Sequence, residues 1–212
     1  MNPANALPPR TIQVESLACR RGDRLLFEGV HFAVVPGELL LLRGPNGIGK
    51  TTLLLALAGV VRPEAGSIGI AGRGEEDRPG ADLHLLSHQA AIKARLTVTE
   101  NLVFWADLFG GERRLVSPSL EAVGLGAIGD LEAGHLSAGQ TRRLALARLL
   151  VADRPIWLLD EPTSALDSEG EQLVLMLLDA HLKRGGVAVA ATHHDIHLRP
   201  PANVRTLTLG AA

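Results

Sequence analysis

Apolar positions fall into two kinds of run along the chain. Residues 12–17 and 66–72 alternate loosely between apolar and polar, the period of a half-buried strand, and 30–35 reads as another strand, ended by Pro36-Gly37. Residues 38–43 carry four consecutive leucines, and 155–159 and 187–191 are similarly unbroken, as strands buried on both faces should be. A helix is predicted over 50–58, with Gly59 as its C-cap, and 74–82 is polar and Gly/Pro-bearing, hence a loop. From about 97 to 149 the period becomes helical. Thr99-Glu100-Asn101 opens one helix, 119–123 forms a second closed by Gly124, and 141–151 a third, with Leu144, Leu146, Ala147, Leu150 and Val151 apolar. A further helix is predicted over 169–183. Strands, a βαβ unit, a helical insert, then strand, helix and strand make an α/β protein with a mostly parallel sheet and a small antiparallel part. We expect one domain over 10–212, with a core of about 10–88 and 141–212 and a helical subdomain of about 89–140.

Composition narrows this reading. Of 212 residues 46% are hydrophobic but only 3% aromatic, with no Tyr, so the core must be built from Leu, Val, Ile and Ala. A net charge of -2 and the lack of a basic stripe argue against direct nucleic-acid binding. The single cysteine, Cys19, excludes an intramolecular disulfide and a site of several thiolates, and reads as a small buried hydrophobe. Residues 1–10 contain no apolar stretch of the kind a secretory signal needs. The longest apolar runs fall far short of the ~20 residues that span a bilayer, so any membrane link is expected to come through a partner.

Chemistry concentrates in two segments. Gly44-Pro45-Asn46-Gly47-Ile48-Gly49-Lys50-Thr51 fits the phosphate-loop pattern G-x-x-x-x-G-K-[ST], between a leucine-rich strand and a helix, and Thr52 extends the nucleotide-binding set. Gly47 and Gly49 permit backbone angles that let successive N–H groups face one concavity, and the following helix adds its positive end. Lys50 reaches the β- and γ-phosphates of ATP, and Thr51 offers a hydroxyl to Mg²⁺. Asp160-Glu161-Pro162 closes a buried strand, where ligands of open α/β sheets bind. Asp160 should hold Mg²⁺ through its water shell, and Glu161 should orient or deprotonate the attacking water.

Leu136-Ser137-Ala138-Gly139-Gln140 resembles the LSGGQ signature of the ATP-binding cassette superfamily, with Ala138 in place of the first glycine. The resemblance implies a P-loop NTPase fold and a head-to-tail homodimer, in which Ser137, Ala138, Gly139 and Gln140 complete the partner copy's ATP site. A demand for positive φ at Ala138 would weaken that site. Gln89 matches the glutamine loop, which senses Mg²⁺ and the attacking water and couples to the transmembrane partner. Ser164-Ala165-Leu166-Asp167 resembles the D-loop. His193, rather than His194, matches the switch histidine on strand register. His31, His84, His135, His181 and His197 carry no such match. The superfamily stacks adenine on an aromatic residue upstream of the phosphate loop; register places Arg21 there, whose planar guanidinium can stack instead.

His88-Gln89, Ile92-Lys93, Leu96-Thr97 and Glu100-Asn101-Leu102, together with Leu26-Phe27, resemble the CcmA family, the heme-exporter ATPases of cytochrome c maturation. Ser87 stands where that pattern has Gly. The resemblance implies an ATPase on the cytoplasmic face of the bacterial inner membrane, bound peripherally to integral membrane subunits resembling CcmB and CcmC. No CxxCH pattern offers heme ligation. Cassettes for a lipid, drug or solute share every motif except Ile92-Lys93. Nucleic-acid-binding cassettes carry long coiled coils or paired cassettes that this chain lacks. If Arg21 stacks on adenine, Arg21→Ala raises the ATP dissociation constant; an unchanged constant in equilibrium titration refutes the assignment.

Overall fold

Antiparallel pairing organises the first part of the chain. In the computed structural model, which describes residues 6–73, 80–193, 196, 198 and 203–210, strands β1 (Thr11–Arg21) and β2 (Arg24–Val34) form a long hairpin. Its turn runs through Gly22 at φ 59°. Strand β4 (Ala65–Ala71) pairs with the other edge of β1, giving the order β2-β1-β4. Of the expectations above, the loop at 74–79, His194 and His197 lie outside the described residues.

The second sheet is parallel throughout, with the order β5-β6-β7-β3-β8: β5 (Leu83–Leu86), β6 (Ile156–Asp160), β7 (Val187–Ala191), β3 (Glu38–Arg43) and β8 (Asn203–Thr208). The three unbroken apolar runs are its central strands, and every residue of β6 and β7 is buried. The two strands the pattern did not reveal are the edges. β5 has four residues, and β8 exposes polar positions, as edge strands do.

Helix α1 (Lys50–Leu57) buries Leu53, Leu54 and Leu57 in a core shared with Ile12, Val14, Leu40, Leu42, Leu158 and Val189. Each such leucine contributes about 1.5–3 kcal/mol of burial free energy. Cys19 belongs to this core as a small hydrophobe, and burial pushes its thiol pKa up.

Two compact units are distinguishable, one of residues 1–87, 154–162 and 177–212, the other of 88–153 and 163–176. The second contains α2 (Val98–Phe109), α3 (Val116–Ala122), α4 (Ala138–Ala147) and the start of α5 (Ser168–Lys183). Helices α2 and α4 begin earlier than their apolar periods suggest, because capping boxes set their starts: Thr97 with Glu100, and Ser137 with Gln140. Asn101 is fully buried. Its amide donates to the carbonyls of Lys93 (3.0 Å), Leu96 (3.2 Å) and Thr97 (2.9 Å), and its Oδ1 accepts from the Lys93 N–H at 2.8 Å. One side chain thus satisfies a loop that makes no ladder of its own. No helix among the described residues is long and apolar enough to cross a membrane.

A buried ion cluster ties β4 to the chain before β5. Asp82 accepts from Arg10 Nε (3.2 Å), Arg10 Nη2 (3.1 Å) and Arg73 Nε (2.5 Å). Burial would raise the Asp82 pKa, but the hydrogen bonds from Arg73 and Arg10, with their charges, hold it below the usual carboxylate value. A carboxyl lowered in the folded state lends stability above its unfolded pKa, and that stability is lost as pH falls through the folded value. Urea midpoints should therefore drop more steeply in the wild type than in Asp82→Asn between about pH 5 and pH 2. Equal slopes would show that Asp82 adds no acid sensitivity.

Candidate active site

Three neighbouring strands of the parallel sheet, β6, β7 and β3, deliver the functional groups from their carboxyl ends. After β3 the chain turns through Gly44 (φ 136°), Gly47 (φ 76°) and Gly49 (φ 113°) into α1. Two of these glycines are required by space as well as by angle. A Cβ on Gly44 would stand 2.7 Å from the Leu209 carbonyl oxygen, and one on Gly49 would stand 2.9 Å from the Phe27 ring and 3.1 Å from Leu26 Cβ. The early pair Leu26-Phe27 thus packs against the phosphate loop. Pro45 and Asn46 are exposed, Ile48 and Thr52 half-buried.

Lys50 is buried and folds back over the loop. Its ammonium donates to the carbonyls of Gly44 (2.8 Å) and Pro45 (3.1 Å), and lies 3.3 Å from His193 Nε2. Thr51 Oγ1 donates to Asp160 Oδ2 at 2.8 Å. Asp160 is the last residue of β6 and is buried. Glu161 leaves the strand at φ 46°, a left-handed conformation unusual for a glutamate, of the kind that costs about 1–3 kcal/mol. Its N–H donates to the Ala191 carbonyl at 2.8 Å, which extends the β6–β7 ladder by one step. Its carboxylate accepts from the His193 N–H at 3.4 Å and lies 3.7 Å from His193 Nε2. His193 Nε2 is also 2.7 Å from Asn46 Oδ1. One imidazole thus touches the phosphate loop, its lysine and the carboxylate after β6, and the Asn46 contact is one that no sequence spacing announced.

The second unit holds the remaining predicted residues except Arg21, which lies in the first. Ser137 Oγ accepts from the Gln140 N–H at 3.2 Å, and Gln140 Oε1 accepts from the Ser137 N–H at 2.9 Å. Ala138 is the first residue of α4 and has no positive φ, so alanine in place of glycine imposes no backbone strain there. A Cβ on Gly139 would stand 3.2 Å from the Ala165 carbonyl oxygen, so the signature and the segment resembling a D-loop approach closely. A cavity of about 290 Å³ lies beside them, lined by Ala138, Thr141, Arg142, Ser164 and Ala165. Asp167 accepts from the Gly170 N–H (2.8 Å) and from Arg143 Nη2 (3.1 Å), and these bonds, the backbone one foremost, hold its pKa low. Gln89 is exposed on the loop after β5. Arg21 is exposed at the end of β1, paired with Arg24 across the hairpin.

Among the described residues no group of three or more His, Cys, Asp or Glu is arranged to hold a metal. The adjacent Thr51 hydroxyl and Asp160 carboxylate form a hard-oxygen pair, which suits Mg²⁺, an ion that takes few protein ligands and completes its shell with phosphate and water.

A glycine-rich loop and an acidic strand end on a parallel sheet, with a capped signature helix, define an ATP-binding cassette. Residues 27–164 match the family model described as ABC transporter. The chain is 49% identical to the cytochrome c biogenesis ATP-binding export protein CcmA of Rhodopseudomonas palustris (strain BisB5), over 92% of this chain and 96% of that protein. Among solved structures it resembles a protein described as an ABC transporter ATP-binding protein from Pyrococcus furiosus, with a TM-score of 0.79 and 25% identity over 94% and 97% of the two chains. It also resembles a bacterial Atm1-family ABC exporter with ATP bound, with a TM-score of 0.75 and 25% identity over 90% of this chain and 36% of that one. The chain belongs to the ABC transporter family and, within it, to the CcmA cytochrome c biogenesis ATP-binding export proteins. Membership of an ABC transporter family implies a second cassette and membrane partners.

Because Gly49 has both a positive φ and the Phe27 ring against it, Gly49→Ala should distort the phosphate loop. Nucleotide affinity should fall by about a hundredfold or more, with a lowered melting temperature. Wild-type affinity in a fluorescent-nucleotide titration would contradict this account of the loop.

Proposed function

We propose that the chain is the ATP-hydrolysing subunit of a cytochrome c maturation complex, working as a head-to-tail homodimer. The observation that carries the chemistry is the convergence of Lys50, Asn46 and Glu161 on His193 within one unit. Loop N–H groups and the Lys50 ammonium take the β- and γ-phosphates of ATP. Mg²⁺, held by Thr51 and Asp160 with Gln89 contributing, would neutralise charge on those phosphates. Glu161 orients a water in line with the γ-phosphate and accepts its proton as the new O–P bond forms and the bond to ADP breaks. His193 donates toward the γ-phosphate oxygens. Ser137, Ala138, Gly139 and Gln140 of one copy serve the nucleotide of the other, with Asp167 in the segment between the copies, and Arg21 stacks on adenine.

The cargo pathway follows from the family. Hydrolysis supports the delivery of heme to apocytochromes, with the cassette held on the cytoplasmic face of the bacterial inner membrane by integral subunits resembling CcmB and CcmC. The high identity across nearly the whole length of a CcmA protein supports this, as does the Ile92-Lys93 spacing.

Glu161→Gln is the decisive variant. It should bind ATP with wild-type affinity, accumulate as an ATP-dependent dimer in size-exclusion chromatography, and lose at least about a hundredfold in turnover. Retained turnover would remove Glu161 from the reaction.

A further inference from the structure

Helix α4 ends on a residue whose environment is unusual for its chemistry. Arg148, the C-cap of α4, is only 7% exposed. Its guanidinium carbon lies 3.7 Å from the centroid of the Trp105 ring. Its Nη1 donates to the Ala90 carbonyl at 2.9 Å, while its Nε has no hydrogen-bond partner among the described residues. The neighbouring charge that acts on it is another cation, Arg142. Burial first, and then Arg142, lower its pKa to about 10. Burying a cation beside a like charge costs desolvation free energy, against which stand its contact with the Trp105 face and its bond to the Ala90 carbonyl. Those two contacts, both made to fixed points, are what an arginine in particular provides here.

What Arg148 does obtain is a fixed point on the glutamine loop. Residues 87–97 form no helix or strand, Gln89 is exposed, and Ala91 is held at φ 50°. Asn101 secures this segment from Lys93 onward. Arg148 secures it at Ala90, directly after Gln89, and Trp105 is the platform on which the planar guanidinium rests.

We infer that Arg148 is a positioning residue which, by fixing the Ala90 backbone against Trp105, sets where the Gln89 side chain is presented. The inference rests on the role assigned to Gln89 in the proposed ATPase. Because Ser137 caps the start of α4 and Arg148 its end, the same helix carries the signature at one end and the anchor of the glutamine loop at the other.

The test is a double-mutant cycle in the purified full chain with MgATP. Arg148→Met removes the charge and the donor while keeping most of the volume. It should leave the melting temperature unchanged or raised and the nucleotide dissociation constant unchanged, and should lower kcat by about ten- to a hundredfold. Combined with Gln89→Ala it should be no slower than Gln89→Ala by itself, because both changes remove one function. Wild-type kcat in Arg148→Met, or losses that multiply in the double variant, would overturn the inference. If Arg148→Met does not fold, Arg148→Leu, which likewise removes the charge and the donor, takes its place in the same cycle and is read by the same criteria. An inactive wild type would overturn the proposed ATPase; an active one indifferent to position 148 would overturn only the role of Arg148.

Discussion

The pairing of β7 with β6 on one side and β3 on the other is the constraint on which the candidate site depends. Ala191 is in register with Leu42 and with Asp160, so the last buried row of the sheet runs through all three strands. Within about one residue of that row each chain leaves the sheet and turns away carrying its functional groups: the phosphate loop after β3, Glu161 after β6, His193 after β7. Hydrogen-bond register, set by backbone geometry and held by strands buried on both faces, is thereby converted into distances between side chains far apart in sequence. Asn46 and His193 meet across 147 positions in this way, and Thr51 and Asp160 across 109.

Much of this was legible in advance because the physics is local. Four leucines in a row before a glycine loop mark a buried strand feeding a phosphate site; Gly44 and Gly49 stand where the pattern asks for glycine, and they and Gly47 all take positive φ. The edge strands were not legible, since a four-residue strand and one with exposed polar positions carry little periodicity. Helix starts were misplaced because the apolar period begins after the cap, whereas Thr97 and Ser137 act through side-chain oxygens. No motif in the sequence assigned a role to Arg148. Its burial against Trp105 and its bond to Ala90 depend on tertiary packing, which no spacing within α4 encodes.

Directional polar bonds add to the apolar core of the second unit. Asn101 replaces a missing backbone ladder, Arg143 and Asp167 join α4 to the start of α5, and Arg148 fixes Ala90. Such bonds are directional, so they specify where a loop lies instead of merely keeping it folded. This suits the proposed function, in which the signature, glutamine loop and D-loop segment are each presented in one orientation to a partner copy or a nucleotide.

Glu161, the proposed proton acceptor, sits in a backbone conformation that glycine or asparagine would occupy at less strain. Selection for stability by itself would therefore erode this position, and its retention in a homologue growing at high temperature would have to be offset elsewhere in the sheet. With the role proposed for it, the carboxylate after β6 is a point where robustness and turnover pull in opposite directions.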